Sequence, residues 1–575
     1  MKQRWVIAEP QPLLTRPLAT GLKVSPLLAQ CLVNRGHTDP IEAATFLEPR
    51  LKSLADPMLL PDMRIAIERL FAARTAAEAL VIFGDYDVDG VTATTILETG
   101  LKALGWTVHH YLPHRMDEGY GLSQAGVENC LGRFQISLLL AVDCGSTAVD
   151  QIAWLGTQGV DVLVLDHHQV SIPPPPALAI VNPQRAPEGA PNFRELCSAG
   201  LAFKLLHAVL KHGRALEISE FEKFDLKPYL DLVALGTIAD LVPLSGENRI
   251  LVTAGLQRLD STDRAGLIAL KAVSQTRSPI GVYEVGFQLG PRLNAAGRLE
   301  TAEAALDLLL APDEATAMPI AQALDATNRE RQAIEKAMAD DAVALVRSTF
   351  DAEQHYVIVE GQLHWHIGVV GIVASRVLRE FYRPTIILGG DNANWRGSGR
   401  SVPGFDLAAA LRECDDILLR HGGHAMAAGV TILPDSVAMF RSRLNEIAKQ
   451  RITEEMLIPE LRLDATVPLR ELTVEAVTEL QKIAPFGQQN PAIQVCIPAV
   501  TNAISPQKLG RGQQHWRLRL TDGNSAIDAL WWGAASEGAQ LPEGRFDVAA
   551  VPQVESFNGK RTVRLRFIAW RRAAG

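Results

Sequence analysis

Cysteine is scarce in this sequence and long apolar runs are missing, and each shortage excludes a class of protein. The six cysteines among 575 residues include no Cys-x-x-Cys pair, which argues against a zinc ribbon or a disulfide scaffold and fits a reducing cytoplasm. There is no run of about eighteen apolar residues that would span a membrane, and residues 1–10 lack the apolar core of a secretory signal. We therefore expect a soluble, cytoplasmic protein, and at roughly 150 residues per domain the length suggests about four domains.

Positive charge is also in deficit, but the deficit is uneven along the chain. The formal net charge is −9, which taken alone argues against a nucleic-acid-binding protein. From residue 508 onward, however, eleven Lys and Arg residues stand against six Asp and Glu residues. An acidic main part with a basic C-terminal module is compatible with catalysis in one part of the chain and binding of a polyanion in the other. The alternative is that the basic surface of the C-terminal module binds no partner.

Short apolar runs alternate with helical patterns in the first half of the chain. Residues 79–83, 138–142 and 162–165 have the length and composition of buried strands, and residues 91–104 have a helical pattern. Short continuous apolar strands that alternate with helices predict a parallel sheet covered by helices on both faces.

The second half predicts a different architecture. Residues 315–346 predict one or two long helices that could join two lobes, and the strand 356–359 opens a second α/β unit. Residues 515–520 and 561–567 alternate with period two, which predicts a small β-barrel or sandwich. The predicted divisions are an N-terminal segment (1–60), a parallel-sheet domain (61–243), a helical connector (244–346), a second α/β domain (347–450) and a C-terminal β-domain (451–575).

An acidic cluster follows the first predicted strand. Residues 84–90 read Gly-Asp-Tyr-Asp-Val-Asp-Gly and place Asp85, Asp87 and Asp89 at alternate positions. Three negative charges this close repel one another, and a divalent cation is the natural compensation. The segment is not an EF-hand, because Ile96 stands where that loop needs a bidentate Glu. A solvated Asp/Gly turn is the other interpretation of this segment alone.

Further metal-binding residue types follow the other predicted strands. They are Asp143, after residues 138–142; Asp166, His167 and His168, after residues 162–165; and Asp240, after the apolar stretch 229–235. The carboxyl ends of parallel strands converge on one crevice, so we expect these side chains to meet. Carboxylates with one or two imidazoles favour Mn²⁺ or Mg²⁺ over Zn²⁺, and two such ions suit hydrolysis of a phosphoester. The spacing alone therefore predicts a two-metal phosphohydrolase of unspecified substrate.

These motifs resemble the DHH phosphoesterase superfamily and, within it, the RecJ family of single-strand-specific 5′→3′ DNA exonucleases. The segments that resemble motifs I to IV are residues 84–90, 142–145, 166–168 and 236–240. Those similar to other RecJ stretches, to the DHHA1 domain or to the entry to the OB-fold are residues 112–121, 290–299, 397–405, 422–429 and 485–491. The resemblance implies an α/β fold in which a DHH parallel-sheet lobe and a DHHA1 α/β lobe are joined by long helices, with a C-terminal OB-fold β-barrel.

The resemblance also implies a site for two ions of Mn²⁺ or Mg²⁺. The implied metal ligands are Asp85, Asp87, Asp89, Asp143, His167 and Asp240, with Asp143 bridging the ions and Asp85 either binding or supporting. The implied catalytic residues are Asp89, Asp143 and His168. His168 would contact the scissile phosphate or assist the leaving oxygen, with a supporting role as the alternative. Asp166 would orient a neighbour, with metal binding as the alternative. Phe83 stands where some superfamily members place a His.

Contacts with the substrate are implied mainly in the DHHA1-like segment. Arg396, Ser398 and Arg400 lie among glycines that allow close approach of phosphate, and a guanidinium binds phosphate oxygens in pairs. Arg115 would join them in a clamp on the 5′-terminal phosphate.

Two further segments supply implied substrate contacts. His424 would contact the scissile phosphate, although residues 422–429 alone read as a tight helix-packing turn. Arg292, Asn294 and Arg298 lie in an Ala/Gly-rich stretch that we predict to be a loop, where they would contact either the DNA strand or the lobe interface.

The implied function is two-metal-dependent hydrolysis of single-stranded DNA from the 5′ end, which releases 5′-mononucleotides in recombination and repair. Aromatic and basic residues of the C-terminal barrel would bind the unpaired strand. The alternatives are a DHH phosphodiesterase acting on short oligonucleotides or cyclic dinucleotides and a non-catalytic single-strand-binding scaffold. The expected partners are single-stranded DNA, a single-strand-binding protein and a repair helicase, with no membrane and a monomeric chain.

Overall fold

The computed structural model describes residues 3–114, 117–119, 121–191, 193–299, 301–391 and 393–573. In chain order, the strands are β1 (Arg4–Ile7), β2 (Ala79–Gly84), β3 (Thr107–Tyr111), β4 (Leu138–Val142), β5 (Asp161–Leu165), β6 (Ala179–Val181), β7 (Ile358–Gln362), β8 (Thr385–Gly390), β9 (Trp395–Arg400), β10 (Arg420–His424), β11 (Ala427–Ile432), β12 (Glu460–Leu463), β13 (Ala465–Thr466), β14 (Val495–Asn502), β15 (Gln507–Leu509), β16 (His515–Thr521), β17 (Ala526–Trp531), β18 (Phe546–Phe557) and β19 (Lys560–Arg572).

The α-helices follow the same chain order, and a π-helix, Val285–Leu289, connects α13 to α14. The helices are α1 (Pro12–Leu22), α2 (Pro26–Asn34), α3 (Pro40–Leu47), α4 (Met63–Thr75), α5 (Val88–Ala103), α6 (Gln124–Arg133), α7 (Val149–Thr157), α8 (Ser198–Ala215), α9 (Ser219–Glu222), α10 (Leu230–Ala239), α11 (Gly246–Asp260), α12 (Ala265–Ser274), α13 (Val282–Glu284), α14 (Gly290–Leu299), α15 (Glu303–Leu310), α16 (Glu314–Thr349), α17 (Val370–Phe381), α18 (Leu407–Arg412), α19 (Val437–Arg451) and α20 (Val474–Leu480). Among the helices of the described residues, none has the length and apolar character that a membrane span needs.

The described chain divides into two compact units. The larger unit contains residues 5–268, 275–290 and 461–575. The smaller unit contains residues 269–274 and 291–460, together with the N-terminal residues up to Arg4.

A parallel sheet with the strand order β3-β2-β4-β5-β6 forms the first part of the larger unit. Every residue of β4 is buried, as expected for a parallel strand with both faces covered. Helices α6 and α7 contribute Val127 and Leu155 to the core on one face, and α5 and α8 pack on the other. The predicted parallel sheet and its strands are confirmed, and the predicted helix at residues 91–104 begins earlier, at Val88.

The strand order reverses between β2 and β4, because the chain passes from β2 to β3 on one side and from β4 to β6 on the other. Ligands bind at the carboxyl ends of strands at such a reversal in open parallel sheets. The acidic segment 84–90 follows β2 and Asp143 follows β4, so both lie at this point. The segment 236–240 belongs to the end of helix α10 and does not follow a strand.

A β-barrel forms the C-terminal part of the larger unit. Its strands have the order β13-β14-β18-β19-β17-β16-β15, and pairing of β14 with β16 closes the ring. Helices α1 to α3 contribute Leu18, Leu28 and Phe46 to the core that contains Val495 and Phe546 of the barrel. The N-terminal residues, to which sequence patterns assign no function, therefore pack on the C-terminal barrel.

The smaller unit contains a mixed sheet with the order β10-β11-β9-β8-β7, parallel between β7 and β8 and antiparallel elsewhere. Helix α17 and the end of α16 pack on one face of the sheet, and α18 and α19 pack on the other. Helix α16 is continuous from Glu314 to Thr349, which confirms the long helix predicted at residues 315–346.

Three local predictions differ from the structure. The strand predicted at residues 356–359 begins at Ile358. Residues 422–429 lie in the hairpin formed by β10 and β11, so the helix-packing turn is wrong. Residues 290–299 form helix α14, so the predicted loop is also wrong.

Candidate active site

Carboxylates of the predicted metal site converge on the imidazole of His167. Its Nε2 atom lies 3.3 Å from Asp143 Oδ1, 3.6 Å from Asp240 Oδ2 and 3.8 Å from Asp89 Oδ2. His167 and Asp143 follow neighbouring strands β5 and β4, Asp89 lies in the first turn of α5, and Asp240 caps α10. The sheet edge and two helices thus bring these sequence-predicted residues into one cluster.

The cluster contains two groups of potential ligand atoms, each within 4.8 Å of one another. The first group is Asp143, Asp166, His167 and His168, and the second is Asp89, His167 and Asp240. Three atoms of the predicted metal site, Asp85 Oδ1, His167 Nε2 and Asp240 Oδ2, are among the buried side-chain atoms of the described residues that lack a hydrogen-bond partner. Leaving such atoms unpaired costs about 1–3 kcal/mol each, and more for a charged group. Mixed oxygen and imidazole donors fit Mn²⁺ or Mg²⁺, which would satisfy these atoms.

Burial and mutual repulsion determine the charge of the cluster. Burial, followed by the charges of neighbouring carboxylates, raises the pKa of Asp85, Asp143 and Asp240 above the ordinary value for Asp. Burial lowers the pKa of His167, which favours the neutral imidazole that binds metals. A bound cation favours ionised carboxylates and would offset their repulsion.

The amino-terminal end of α8 holds two of the carboxylates. The backbone N–H of Ser198 donates to Asp89 Oδ2 at 2.7 Å, and that of Ala199 donates to Asp89 Oδ1 at 2.8 Å. The Ser198 hydroxyl donates to Asp143 Oδ1 at 2.8 Å. Because the amino terminus of a helix stabilises negative charge, α8 supports a buried pair of carboxylates. Ser198 is not among the sequence-predicted site residues, and its signal in the sequence is a serine at the start of an apolar helical pattern.

Asp166 orients the His168 ring and the backbone of His167 and His168. Its carboxylate accepts hydrogen bonds from the backbone N–H groups of Ser146, His167 and His168. Although burial alone would raise the pKa of Asp166, the hydrogen bond and charge of His168 hold it below its ordinary range. The bond between Asp166 Oδ1 and His168 Nδ1 is 2.8 Å long, and it raises the pKa of His168 to about 9. The His168 side chain is 52% exposed, so it is oriented and accessible.

The acidic residues between β2 and the first turn of α5 make different contacts. Asp87 caps α5, with Oδ1 accepting from the N–H groups of Asp89 at 2.9 Å and Gly90 at 3.1 Å. Gly90 is required, because a Cβ there would lie 2.6 Å from the backbone oxygen of Asp85. Within the described residues, Asp85 and Asp87 belong to neither group of ligand atoms. Phe83 is fully buried in the core beside the sheet.

Three predicted phosphate-binding residues of the smaller unit lie on strand β9, two positions apart. Arg400 Nη1 donates to Ser398 Oγ and to Gly399 O, each at 2.8 Å. Gly371 lets α17 pack closely against Arg400 and Ser398. A Cβ at this position would lie 3.0 Å from both of those side chains. Arg400 is half-buried, which lowers its pKa, whereas Arg396 is exposed. An oriented guanidinium beside a hydroxyl group is able to bind a phosphate group.

Two predicted substrate residues on α14 make contacts inside the smaller unit. Arg292 Nε pairs with the buried Asp325 of α16 at 2.9 Å. Arg298 Nη1 donates to Gly368 O at 3.1 Å. Both side chains therefore hold α14 in place.

The remaining predicted substrate residues are Asn294, His424 and Arg115. Asn294 is half-buried on α14, and His424 is exposed at the end of β10. Arg115 lies outside the described residues.

Family models match three segments of the chain. They are the N-terminal domain of the DHH family at residues 79–237, the DHHA1 domain at residues 353–450 and the RecJ OB domain at residues 463–569. The single-stranded-DNA-specific exonuclease RecJ of Bacillus subtilis is 37% identical over 98% of this chain and 70% of its own length. RecJ of Haemophilus influenzae is 33% identical over 96% of each chain. This chain belongs to the RecJ family.

Solved RecJ structures agree with this membership. A crystal structure of Thermus thermophilus RecJ in complex with Mn²⁺ has a TM-score of 0.84 and 31% identity, and the match covers 100% of this chain and 80% of that one. A second structure of the same RecJ is a complex with Mg²⁺, with a TM-score of 0.78 and 30% identity over 100% of this chain and 79% of that one. The RecJ resemblance is confirmed, as is the fold class of DHH and DHHA1 domains with a C-terminal OB-fold. The predicted cofactors, Mn²⁺ or Mg²⁺, are the ions in these RecJ complexes.

Proposed function

We propose that this chain hydrolyses single-stranded DNA from its 5′ end and releases 5′-mononucleotides, in DNA recombination and repair. The convergence of three carboxylates on His167 Nε2 carries the proposal. The curated relatives that cover most of this chain are exonucleases specific for single-stranded DNA. The proposed ligands for two divalent ions are Asp85, Asp87, Asp89, Asp143, His167 and Asp240. When bound, such ions activate water and neutralise charge that develops on a phosphodiester.

Protein side chains would hold the DNA backbone. His168, fixed by Asp166 and accessible, is assigned to the scissile phosphate. Arg400 and Ser398 are assigned to a terminal 5′-phosphate, because a bidentate guanidinium recognises a phosphate end. The other proposed contacts with the DNA strand are Arg115, Arg292, Asn294, Arg298, Arg396 and His424.

The barrel would bind the unpaired strand. Trp532 and Phe557 are 56% and 78% exposed, which leaves their rings available for stacking on bases. Lys508 lies over the Trp516 ring, 5.4 Å from its centroid, and provides positive charge beside an aromatic face. Exposed aromatic and basic side chains on an OB-fold favour single strands. Further proposals are a single-strand-binding protein and a repair helicase as partners, a monomeric state and a cytoplasmic location.

The experiment that tests this function is digestion of an end-labelled single strand with Mn²⁺ or Mg²⁺. We expect loss of a 5′ label as mononucleotide before a 3′ label, with a blunt duplex left intact. Asp89→Ala should abolish the metal-dependent reaction, whereas Asp150→Ala, which removes an exposed carboxylate of α7, should retain it. Unchanged hydrolysis by Asp89→Ala would exclude the proposed site.

The same assay separates the alternatives. A small-substrate phosphodiesterase would cleave dinucleotides or cyclic dinucleotides faster than a long strand, and a scaffold would bind the strand without cleaving it. Intact protein is preferable to a truncation, because α1 to α3 share their core with the barrel.

A further inference from the structure

An exposed aromatic pair lies on the helical segment that runs from α13 into the π-helix. Tyr283 and Phe287 are 61% and 69% exposed. Their rings stack on each other, with centroids 5.0 Å apart and an interplanar angle of 27°. Single exposed apolar side chains are ordinary, but a stacked pair presents two large flat faces together. Contiguous exposed apolar surface is a feature of interaction surfaces and of ligand-binding grooves.

The opposite side of the same segment is firmly anchored. Val285 and Leu289 are fully buried, and the π-helix packs against α10. Glu284 accepts a hydrogen bond from the backbone N–H of Gly281 at 2.9 Å, which fixes the start of the segment. The rings therefore stand on a rigid support, and their exposure does not result from a loose loop. π-Helical turns also occur frequently at functional sites.

The segment lies beside the helix that delivers a proposed metal ligand. A Cβ on Gly290, at the end of the π-helix, would lie 3.6 Å from Ala239 Cβ. Ala239 is the last residue of α10 and precedes Asp240. Leu241, the next residue, is 72% exposed. The π-helix that carries Phe287 thus packs on the helix whose end carries Asp240 of the cluster around His167.

We infer that Tyr283 and Phe287 form a stacking platform for the bases of a single DNA strand whose backbone enters the metal cluster. The inference rests on the proposed function, because it places bases beside a site that handles phosphates. Aromatic faces stack on any base, so the platform would bind DNA without sequence preference. A base in a duplex is already stacked and paired, so the platform also favours single strands.

Oligonucleotides with the fluorescent base 2-aminopurine at single positions near the 5′ end test the platform, because stacking quenches its fluorescence. In the absence of divalent cations, wild-type protein should quench the probe at one or more positions. Phe287→Ala should lose this quenching and bind the strand roughly tenfold more weakly, which corresponds to the loss of one base stack. Phe287→Trp should retain both properties. Leu216→Ala is the matched control, since Leu216 is 54% exposed in the same unit.

The outcomes distinguish the platform from the catalytic function. Quenching and affinity of the Phe287→Ala and Tyr283→Ala variants equal to those of wild type would overturn the platform, and would assign the pair to a protein partner instead. Hydrolysis of the same oligonucleotides by wild type with Mn²⁺ is measured in parallel. If hydrolysis persists while the platform test fails, only the platform is wrong; if wild type does not hydrolyse them, the proposed function is wrong.

Discussion

Ser198 donates a hydrogen bond from its hydroxyl group to Asp143 Oδ1, at a distance of 2.8 Å, and both side chains are buried. The backbone N–H of the same serine donates to Asp89 Oδ2. One residue at the start of α8 therefore orients two proposed metal ligands, Asp143 after β4 and Asp89 in the first turn of α5.

Replacement of this serine should weaken metal binding without removing a ligand. Ser198→Ala deletes the bond to Asp143 but keeps the backbone bond to Asp89, so the cluster loses one orienting contact. We expect the dissociation constant for Mn²⁺ to rise about 10- to 100-fold, as is usual for groups that orient metal ligands. Isothermal titration calorimetry measures this change directly. The control is Ser219→Ala, at an exposed serine of α9; equal affinities in the two variants would contradict the role of Ser198.

The contrast between the carboxylates and Ser198 shows what the sequence could predict. Asp143 and His167 follow apolar runs, and parallel strands place the ends of such runs together, so the cluster is predictable from local pattern. The hydrogen bond from Ser198 to Asp143 cannot be predicted in this way, because it depends on how α8 packs against the sheet. Serine at a helix start is also an ordinary capping residue, so its type carries no specific signal.

The prediction of a loop at residues 290–299 is wrong because of the residue types at the start of this segment. Glycine and proline normally interrupt helices, and Gly290 and Pro291 begin this segment. In the structure, the π-helix precedes them and the Gly290 N–H bonds to Val285 O, so the chain enters α14 without a break. The packing of α1 to α3 on the barrel also could not be predicted from local sequence patterns, because these segments are more than 400 residues apart in the sequence.

Divalent cations should stabilise the folded protein through the same cluster. Ions that bind the carboxylates of the folded protein but not the unfolded chain increase the free energy of unfolding. The increase is about 2.7 kcal/mol when the concentration of free ions is 100 times the dissociation constant. We therefore expect Mn²⁺ to raise the Tm of wild type in differential scanning fluorimetry. Asp143→Ala should lose this increase, and the exposed-site control Asp150→Ala should keep it. The same increase in all three proteins would place the ions elsewhere.

The guanidinium of Arg400 should determine the preference for a 5′-phosphate. Lys in its place keeps the charge but cannot donate two parallel hydrogen bonds, and loss of one bond to a charged group costs about 1.5–3 kcal/mol. Arg400→Lys should therefore reduce the ratio of kcat/KM for 5′-phosphorylated over 5′-hydroxyl strands by roughly tenfold or more. Arg443→Lys provides the control, since its side chain is 44% exposed on α19. A preserved ratio in Arg400→Lys would assign end recognition to other residues.

Arg249 should be a major determinant of stability, because its buried guanidinium binds main-chain carbonyls from distant segments. Its Nε donates to Phe46 O at 2.7 Å, Nη1 to Ile483 O at 2.8 Å and Nη2 to Ala484 O at 2.8 Å. The guanidinium also lies over the Phe46 ring, 3.8 Å from its centroid. Burial lowers the pKa of Arg249 to about 10, so it stays charged at neutral pH. The residue therefore joins α11 to the end of α3 and to the turn that leads into the barrel.

Arg249→Met keeps the apolar stem but leaves these carbonyls without their donor. We expect the free energy of unfolding to fall by about 3–5 kcal/mol, because each buried carbonyl left without its donor costs about 1–3 kcal/mol. Urea unfolding followed by tryptophan fluorescence measures the loss, and an earlier transition in the barrel is expected because the turn at Ile483 is released. Arg258→Ala, on the same helix, is the control, since Arg258 pairs with an exposed Asp263 and should cost less than about 1 kcal/mol. Equal midpoints for the two variants would show that the contacts of Arg249 contribute little to stability.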